Sequence, residues 1–153
     1  MDQASAERWF AVEFNNEAWS IVESLSASPE QIERLLHLAH AACLHWSAAG
    51  DSLNRQRAIG LLAHAYAAAG RGELSVGYAK QARRLSEEHG DKQTPFDRAE
   101  ACATMAIALG AAGSLSDADA WRAKALAAAR ELDPDDRTVI EGLLERSGLP
   151  RSG

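Results

Sequence analysis

Glu33, His37 and His40 follow one another at spacings of four and three residues. In a helix these spacings place the three side chains on successive turns of one face. One carboxylate and two imidazoles form a ligand set that zinc and similar divalent ions accept. A fourth ligand could come from His45 or His64 if the fold brings either one close. The pattern suggests a metal site, and the alternative is a polar helix flank that hydrogen-bonds to a neighbouring helix.

A second candidate site lies where a short turn joins two predicted helices. His45 lies near the end of the first helix, and Asn54 and Arg57 lie in the opening turns of the second. Free amide groups at a helix N-terminus, together with a guanidinium, can bind a carboxylate or a phosphate. The hypothesis is an anion or ligand site formed by these three residues, and the alternative is a structural set that ties the turn to its neighbours.

The chain lacks the sequence patterns of common enzyme classes. It has no nucleophile and base at a recognisable spacing, no glycine-rich phosphate loop and no dinucleotide-binding motif. We therefore expect no enzymatic activity and no cofactor. Cys43 and Cys102 both fall in apolar helical patterns, which is typical of reduced core cysteines in a cytoplasmic protein.

The charge balance argues against two classes of partner. The 16 lysines and arginines are outnumbered by 22 aspartates and glutamates, and the formal net charge is −6. General nucleic-acid binding and docking on anionic membranes both depend on a basic surface, so we expect neither. The acidic N-terminus has no apolar run that would make a signal peptide, and no segment has the length and apolarity of a membrane span. These features predict a cytoplasmic location.

The composition predicts an all-α protein. Alanine and leucine are abundant, whereas valine, isoleucine and threonine are few, and this balance favours helix over strand. Capping residues followed by proline mark helix starts, and glycines mark helix ends. We expect a single domain over residues 1–153 with six or seven antiparallel helices. The predicted ranges are 5–26, 29–48, 52–69, 72–89, 95–112, 115–132 and 135–146, and the helix-ending glycines are Gly50, Gly70, Gly90 and Gly113.

Two alanine-rich helical patterns end in glycine at equivalent places. Residues 61–70 and 102–113 each lead into a short polar turn and a second helical pattern, and Gly113 follows Gly70 by 43 residues. A helix–turn–helix unit that recurs at a fixed offset is typical of an α-solenoid, in which each unit buries its apolar face against its neighbours. Such proteins present extended binding surfaces, so the repeat favours a binding function over catalysis.

The order of residue types in these two units resembles the tetratricopeptide repeat. That repeat has apolar and small residues in its first helix, a turn glycine, and small residues at set steps along its second helix. The first unit matches at Ile59, Leu62, Ala63, Tyr66, Gly70, Ser75, Ala79, Ala82 and Leu85. The second matches at Cys102, Met105, Ala106, Leu109, Gly113, Ala118 and Ala125, and departs at Arg122, where the repeat has an apolar residue.

The spacing is similar to one variety of this family. It exceeds the usual repeat of about 34 residues and is close to the long-helix variety of about 42 residues. The match covers residues 52–132, while helices 1 and 2 resemble a degenerate repeat and helix 7 resembles a cap. A weaker resemblance, carried by residues 40–46, Gly50, Asn54, Arg57 and Gly70-Arg71, is to a group of small uncharacterised bacterial proteins and implies a bacterial origin.

The resemblance also implies where a partner would bind. In this family the first helix of each unit lines a concave surface. The corresponding positions here are Arg57, Gly60, His64 and Ala67 in one unit, and Glu100, Ala103, Ile107 and Ala111 in the next. Many of these side chains are small, which implies a groove that can receive a helix or an extended peptide.

Helix 1 carries more apolar surface than a terminal helix needs. Its main stripe consists of Phe10, Phe14, Ala18, Ile21 and Leu25, and Trp9, Val12 and Trp19 lie beside it. Aromatic excess of this kind marks interfaces. We expect Trp9 or Trp19 to contact another molecule, the simplest being a second copy of the chain. The alternative is that helix 1 folds across its own groove and buries these rings.

The sequence therefore predicts a helical-repeat adaptor that binds a protein or peptide segment. The expected partner-binding residues are Arg57, His64, Glu100, Ile107, Trp9 and Trp19. Of these, Arg57, His64 and Glu100 are expected to face the concave surface and stay at least partly exposed. Two alternatives remain open: a homodimeric structural module built on helix 1, and a sensor that binds a metal or small ligand through His37 and His40.

Overall fold

The computed structural model describes residues 1–24 and 26–147. Within these ranges the chain forms seven α-helices and one 3₁₀ turn, Gly90–Lys92, and contains no strand. The all-α prediction is therefore confirmed. The helices are α1 (Gln3–Val22), α2 (Pro29–Ala49), α3 (Ser52–Ala68), α4 (Gly72–His89), α5 (Pro95–Ala111), α6 (Leu115–Ala129) and α7 (Pro134–Arg146).

The largest difference from the predicted ranges is in α1. It begins at Gln3 because the Asp2 carboxylate caps it, accepting a hydrogen bond from the Ser5 backbone N–H at 2.7 Å. It ends at Val22, before the predicted end at residue 26. Leu25, the last residue of the predicted apolar stripe, lies outside the described residues.

The capping boxes form at two of the predicted helix starts. At α2 the Ser28 hydroxyl accepts from Gln31 N–H, and the Gln31 side chain accepts from Ser28 N–H. At α5 Thr94 and Asp97 form the same reciprocal pair. The pattern from Ser114 to Asp117 also predicts a capping box at the start of α6, but this prediction is wrong, since the Ser114 hydroxyl makes no capping hydrogen bond.

The turns that follow α3 and α5 have the same geometry. Gly70 and Gly113 both have positive φ, at 72° and 82°. The residue after each glycine donates its N–H to a carbonyl five residues earlier, from Arg71 to Tyr66 and from Ser114 to Leu109, both at 2.9 Å. This is the hydrogen bond that defines a Schellman helix ending, which needs a left-handed residue. Gly50 ends α2 as expected, but its φ of −98° is not left-handed, in contrast to Gly70 and Gly113.

The helices pack in two layers. Each helix contacts the next one along the chain, and the odd-numbered helices also pack on one another, α1 on α3, α3 on α5 and α5 on α7. We call these four the inner layer and α2, α4 and α6 the outer layer. Outer helices meet through long side chains, as where Arg83 lies over the Trp121 ring. The backbones are therefore closer together in the inner layer than in the outer one.

Small residues make this close packing possible. Four alanines that match the repeat pattern, Ala63, Ala82, Ala106 and Ala125, are all buried. Buried Ser75 replaces an apolar contact with a hydrogen bond, donating its hydroxyl to the Ala63 carbonyl at 2.7 Å and so tying α4 to α3. No helix within the described ranges combines the length and apolarity needed to cross a bilayer.

Candidate functional site

The inner layer surrounds a cavity of about 370 Å³, which we call the first cavity. Four inner helices and the end of α2 contribute its walls. The lining residues are Asn15, Trp19 and Glu23 from α1, Trp46 from α2, Asn54 and Arg57 from α3, Phe96 and Glu100 from α5, and Val139 and Leu143 from α7. The walls thus combine aromatic rings with amide, guanidinium and carboxylate groups.

A second cavity of about 310 Å³ adjoins the first, and the two share Leu143. Most of its lining residues are apolar, several of them small, and His64, Arg146 and Ser147 add polar groups. The lining residues are Val22, His64, Ala67, Ala68, Ile107, Gly110, Ala111, Leu115, Leu143, Arg146 and Ser147. The two cavities together form a groove along the inner layer.

The concave positions that the family resemblance implied can be compared with this groove. Six of the eight positions implied by the resemblance line one of the two cavities: Arg57 and Glu100 the first, and His64, Ala67, Ile107 and Ala111 the second. The other two, Gly60 and Ala103, are buried and line neither.

Arg57 is held in the wall of the first cavity by buried Asp97. Its Nε donates to Asp97 Oδ1 at 2.9 Å, and its Nη2 donates to Oδ2 at 3.2 Å. The Thr94 hydroxyl also donates to Asp97 Oδ2, at 2.7 Å. Burial alone would raise the pKa of Asp97, but the hydrogen bonds from Arg57 and Thr94 outweigh it and lower that pKa. The capping box of α5 therefore also fixes a charged pair between α3 and α5.

Glu100 lies one turn further along α5 and is half-buried in the first cavity. Burial, and secondarily the negative charge of Asp97, raises the pKa of its carboxyl to about 7, although Arg57 acts in the opposite direction. No cation within the described ranges comes within 4.0 Å of this carboxylate. Its negative charge is consequently poorly compensated.

His64 departs from the prediction that it stays exposed, because only 3% of its surface is accessible. Its Nε2 lies 3.0 Å from the Thr104 hydroxyl, which donates its own proton to the Glu100 carbonyl at 2.8 Å. The hydroxyl must therefore accept from His64, which places the imidazole proton on Nε2. Burial lowers the pKa of His64 to about 4, so the ring is neutral near pH 7.

Trp19 packs inside the molecule. Its ring centroid lies 5.1 Å from that of His64, and its side chain packs against the core clusters at both ends of the molecule. The ring also lines the first cavity. The expectation that this tryptophan contacts another molecule is not needed to explain its apolar surface, because α1 buries much of the ring against its own chain.

Trp9, on the same helix, is more exposed to solvent than Trp19. It is 50% exposed, and its ring meets the edge of Phe10, which is itself 39% exposed. Phe10 in turn stacks against Phe14 and His45 at centroid distances of 5.5 and 5.4 Å. The predicted aromatic excess of helix 1 is thus confined to its N-terminal half.

The candidate metal ligands do not converge. Glu33, His37 and His40 are exposed, and no group of three histidine, cysteine, aspartate or glutamate side chains in the described ranges could hold a metal ion. His40 Nε2 instead lies 2.8 Å from the Tyr66 hydroxyl on α3. The metal hypothesis is therefore wrong for this set, and its alternative, an inter-helix hydrogen bond, describes His40.

The candidate anion site is divided between two places. Nδ1 of His45 contacts the carboxylate of Glu7 on α1, away from the first cavity. Asn54 and Arg57 both line that cavity, but Asn54 completes a capping box with Asp51, and Arg57 is paired with Asp97. The predicted three-residue set is consequently not assembled, because carboxylates of the chain itself take up two of its three members.

Several cavity residues could not be found from the repeat pattern. The first cavity is also lined by Trp46, Phe96 and Glu23, which lie near helix ends and outside the concave positions that the resemblance implied. Val139 and Leu143 come from the terminal helix, which was expected only as a cap. The apolar residues of α7 recur at helical spacing, which indicates a buried face, but the sequence does not show which helix packs against that face.

Comparisons with known proteins add no relative: no protein-family model, curated protein or solved structure matches the chain.

Proposed function

We propose that this protein is a cytoplasmic helical-repeat adaptor, of tetratricopeptide-like architecture, that binds a peptide segment along its inner layer. The observation that carries the proposal is the pair of adjoining cavities, which follow the inner helices for most of the molecule and present small side chains at one end and polar side chains at the other.

The equivalence of the two helix hairpins supports the repeat. The turns at Gly70 and Gly113 have the same sign of φ and the same hydrogen-bond pattern, 43 residues apart. Direct packing among the odd-numbered helices, with the even-numbered helices further apart, is the arrangement expected when hairpins stack with their first helices inside.

The small residues of the second cavity suit a peptide main chain. Ala67, Ala68, Gly110 and Ala111 come from the last turns of α3 and α5, two neighbouring inner helices. Side chains of this size let another backbone approach closely, as required for an extended segment or a helix in a groove.

Two of the titratable groups are poorly suited to catalysis. Burial raises the pKa of Cys43 to about 11, so its thiol is protonated and a poor nucleophile. Asp97, the most buried carboxylate near the cavities, already accepts hydrogen bonds from Arg57 and Thr94. Such a group is poorly placed to accept a proton from a substrate.

A random peptide library displayed on phage tests the proposal. The protein should select peptides, and the substitution Ala111→Trp should abolish their binding by filling the second cavity. Ala120→Trp is the matched control, because Ala120 is equally exposed on α6 and lines neither cavity. Selected peptides that bind both variants equally well, or the absence of any selected peptide, would contradict the proposal.

A second candidate, a homodimeric module built on α1, is favoured by one observation. Trp9 and Phe10 form an exposed aromatic pair at the N-terminal end of the helix, and exposed Leu44 lies on α2, which packs against α1. Exposed aromatic surface of this kind is enriched at interfaces. This candidate is compatible with the adaptor, because none of these three residues lines either cavity.

A further inference from the structure

The first cavity combines three aromatic rings with an excess of negative charge. Trp19, Trp46 and Phe96 supply the rings, and carboxylates come from Glu23 at the end of α1 and from Glu100 on α5. Aromatic faces and carboxylates share one preference, since both attract a cation. The lining therefore has the chemistry of a site for a positively charged group.

Arg57 does not reverse this balance. Its guanidinium forms two hydrogen bonds with the buried carboxylate of Asp97, so the pair is close to neutral. The residues that α2 and α7 contribute to the lining, Trp46, Val139 and Leu143, carry no charge. Among the described residues, no cationic group lies within 4.0 Å of the carboxyl groups of Glu23 and Glu100, the other two titratable residues of the lining.

The titration of Glu100 agrees with this picture. Its pKa is raised to about 7 because its charged form is desolvated and lies near Asp97. A cation entering the cavity would stabilise the carboxylate and be held most strongly once that group is ionised.

We propose that the first cavity recognises a lysine or arginine side chain of the bound peptide, held between the carboxylates of Glu100 and Glu23 and the aromatic rings around them. This inference rests on the proposed adaptor function and names the chemistry of its partner: a segment that places one basic residue in the first cavity and small or apolar residues in the second.

The continuity of the groove favours a peptide over a free cationic metabolite. The second cavity shares Leu143 with the first and extends the surface along α3 and α5. A small polyamine would leave this apolar extension unused, whereas an extended chain would occupy both. The net charge also favours a basic peptide as the occupant, because a protein of formal charge −6 attracts basic segments over a distance.

The first test uses the peptide library. Peptides selected by the unmodified protein should be enriched in one lysine or arginine, and Glu100→Gln should weaken their binding by about tenfold or more, the loss of one charge-assisted contact. Glu141→Gln is the matched control, since Glu141 is exposed on α7 and lines neither cavity. Binding should also strengthen as pH rises from 5 to 8, and Glu100→Gln should remove that dependence.

The second test locates the basic group. In ¹⁵N-labelled protein, N-acetyl-arginine methylamide and N-acetyl-lysine methylamide should shift the indole N–H signals of Trp19 and Trp46 saturably. The norleucine analogue should not shift them. Trp9 and Trp121 line neither cavity and provide internal reference signals.

The outcomes separate this inference from the function on which it rests. Selected peptides that depend on Ala111 but carry no basic residue, or that tolerate Glu100→Gln, would overturn the inference and leave the adaptor function standing. If spermidine shifted the indole signals and no selected peptide depended on Ala111, the cavity would belong to a free polyamine, and both proposals would be wrong.

Discussion

Thr104 connects the side chain of buried His64 to the backbone of half-buried Glu100, and the pKa values of these two residues move in opposite directions. Its hydroxyl accepts from His64 Nε2 and donates to the backbone carbonyl of Glu100. Burial lowers the pKa of His64 from 6.5 to about 4 and raises that of Glu100 from 4.5 to about 7. In both cases the folded protein favours the neutral form of the side chain.

The two shifts have opposite consequences for stability. From pH 4.5 to 7, folded Glu100 retains a proton that the unfolded chain has lost, so this group makes stability fall as pH rises. From pH 4 to 6.5, unfolded His64 holds a proton that the folded protein lacks, so this group makes stability rise as pH rises. Where the windows overlap, the two contributions largely cancel.

Single substitutions should expose each contribution. Between pH 5 and 6.5, Glu100→Gln should make the free energy of unfolding increase with pH by about 1.4 kcal/mol per unit at most, and His64→Gln should make it decrease with a similar slope. Urea unfolding at half-unit steps of pH measures both slopes. Glu141→Gln should keep the profile of the unmodified protein. Equal slopes in all three variants would show that neither group is buried as described.

At the scale of the helix, two glycines of α4 have opposite roles. A Cβ on Gly72 would lie 2.4 Å from Cα of Ala112 at the end of α5, so only glycine allows this close approach. A Cβ on Gly77, in the middle of the same helix, would meet no atom within 4 Å. Gly72 therefore serves packing between hairpins, whereas Gly77 only weakens its own helix.

Alanine substitutions distinguish these roles. Gly77→Ala should raise the free energy of unfolding by about 0.5–1 kcal/mol, because alanine loses less backbone entropy on folding. Gly72→Ala should lower it by about 1–3 kcal/mol, because the backbones of α4 and α5 must separate. Chemical unfolding of both variants checks the pair. A stabilising effect of Gly72→Ala would mean that the contact between the two hairpins is not as tight as described.

The helices could be predicted from sequence because their signals are local. The capping boxes at Ser28 and Thr94 and the turn glycines at Gly70 and Gly113 each act within a few residues. Arg57, Glu100 and Ile107, which the family resemblance implied as concave positions, line the two cavities. What spacing can specify is which face of a helix a residue occupies.

Sequence spacing could not specify pairing between helices. The bond between Arg57 and Asp97 spans 40 residues, and the contact of His40 with Tyr66 spans 26. Such partners depend on how successive helices are offset and rotated. For this reason the metal and anion hypotheses, which required side chains to converge from different turns or helices, did not survive, and the role of Trp46 and Phe96 in the cavity was not foreseen.

At the scale of the whole molecule, Trp19 connects the two ends of the chain. Its side chain packs against a core cluster built from α1, α2 and α3 and against another built from α5, α6 and α7. Val22 packs against the same two clusters, and a third cluster is built from α3, α4, α5 and α6. The Trp19 ring thus links the two ends of the molecule, and removing it should destabilise the whole fold.

Two tryptophans of the same helix provide the test of this link. Trp19→Ala should lower the free energy of unfolding by about 2–3 kcal/mol, somewhat less than for a fully buried ring, while Trp9→Ala should change it by under about 1 kcal/mol. Urea unfolding gives both values.

Sedimentation of the same samples at high micromolar concentration tests the second candidate function. If the protein is a dimer through α1, Trp9→Ala should yield monomers and folded Trp19→Ala should not. Dissociation by Trp19→Ala alone would place that ring in an interface and contradict its role as an internal link.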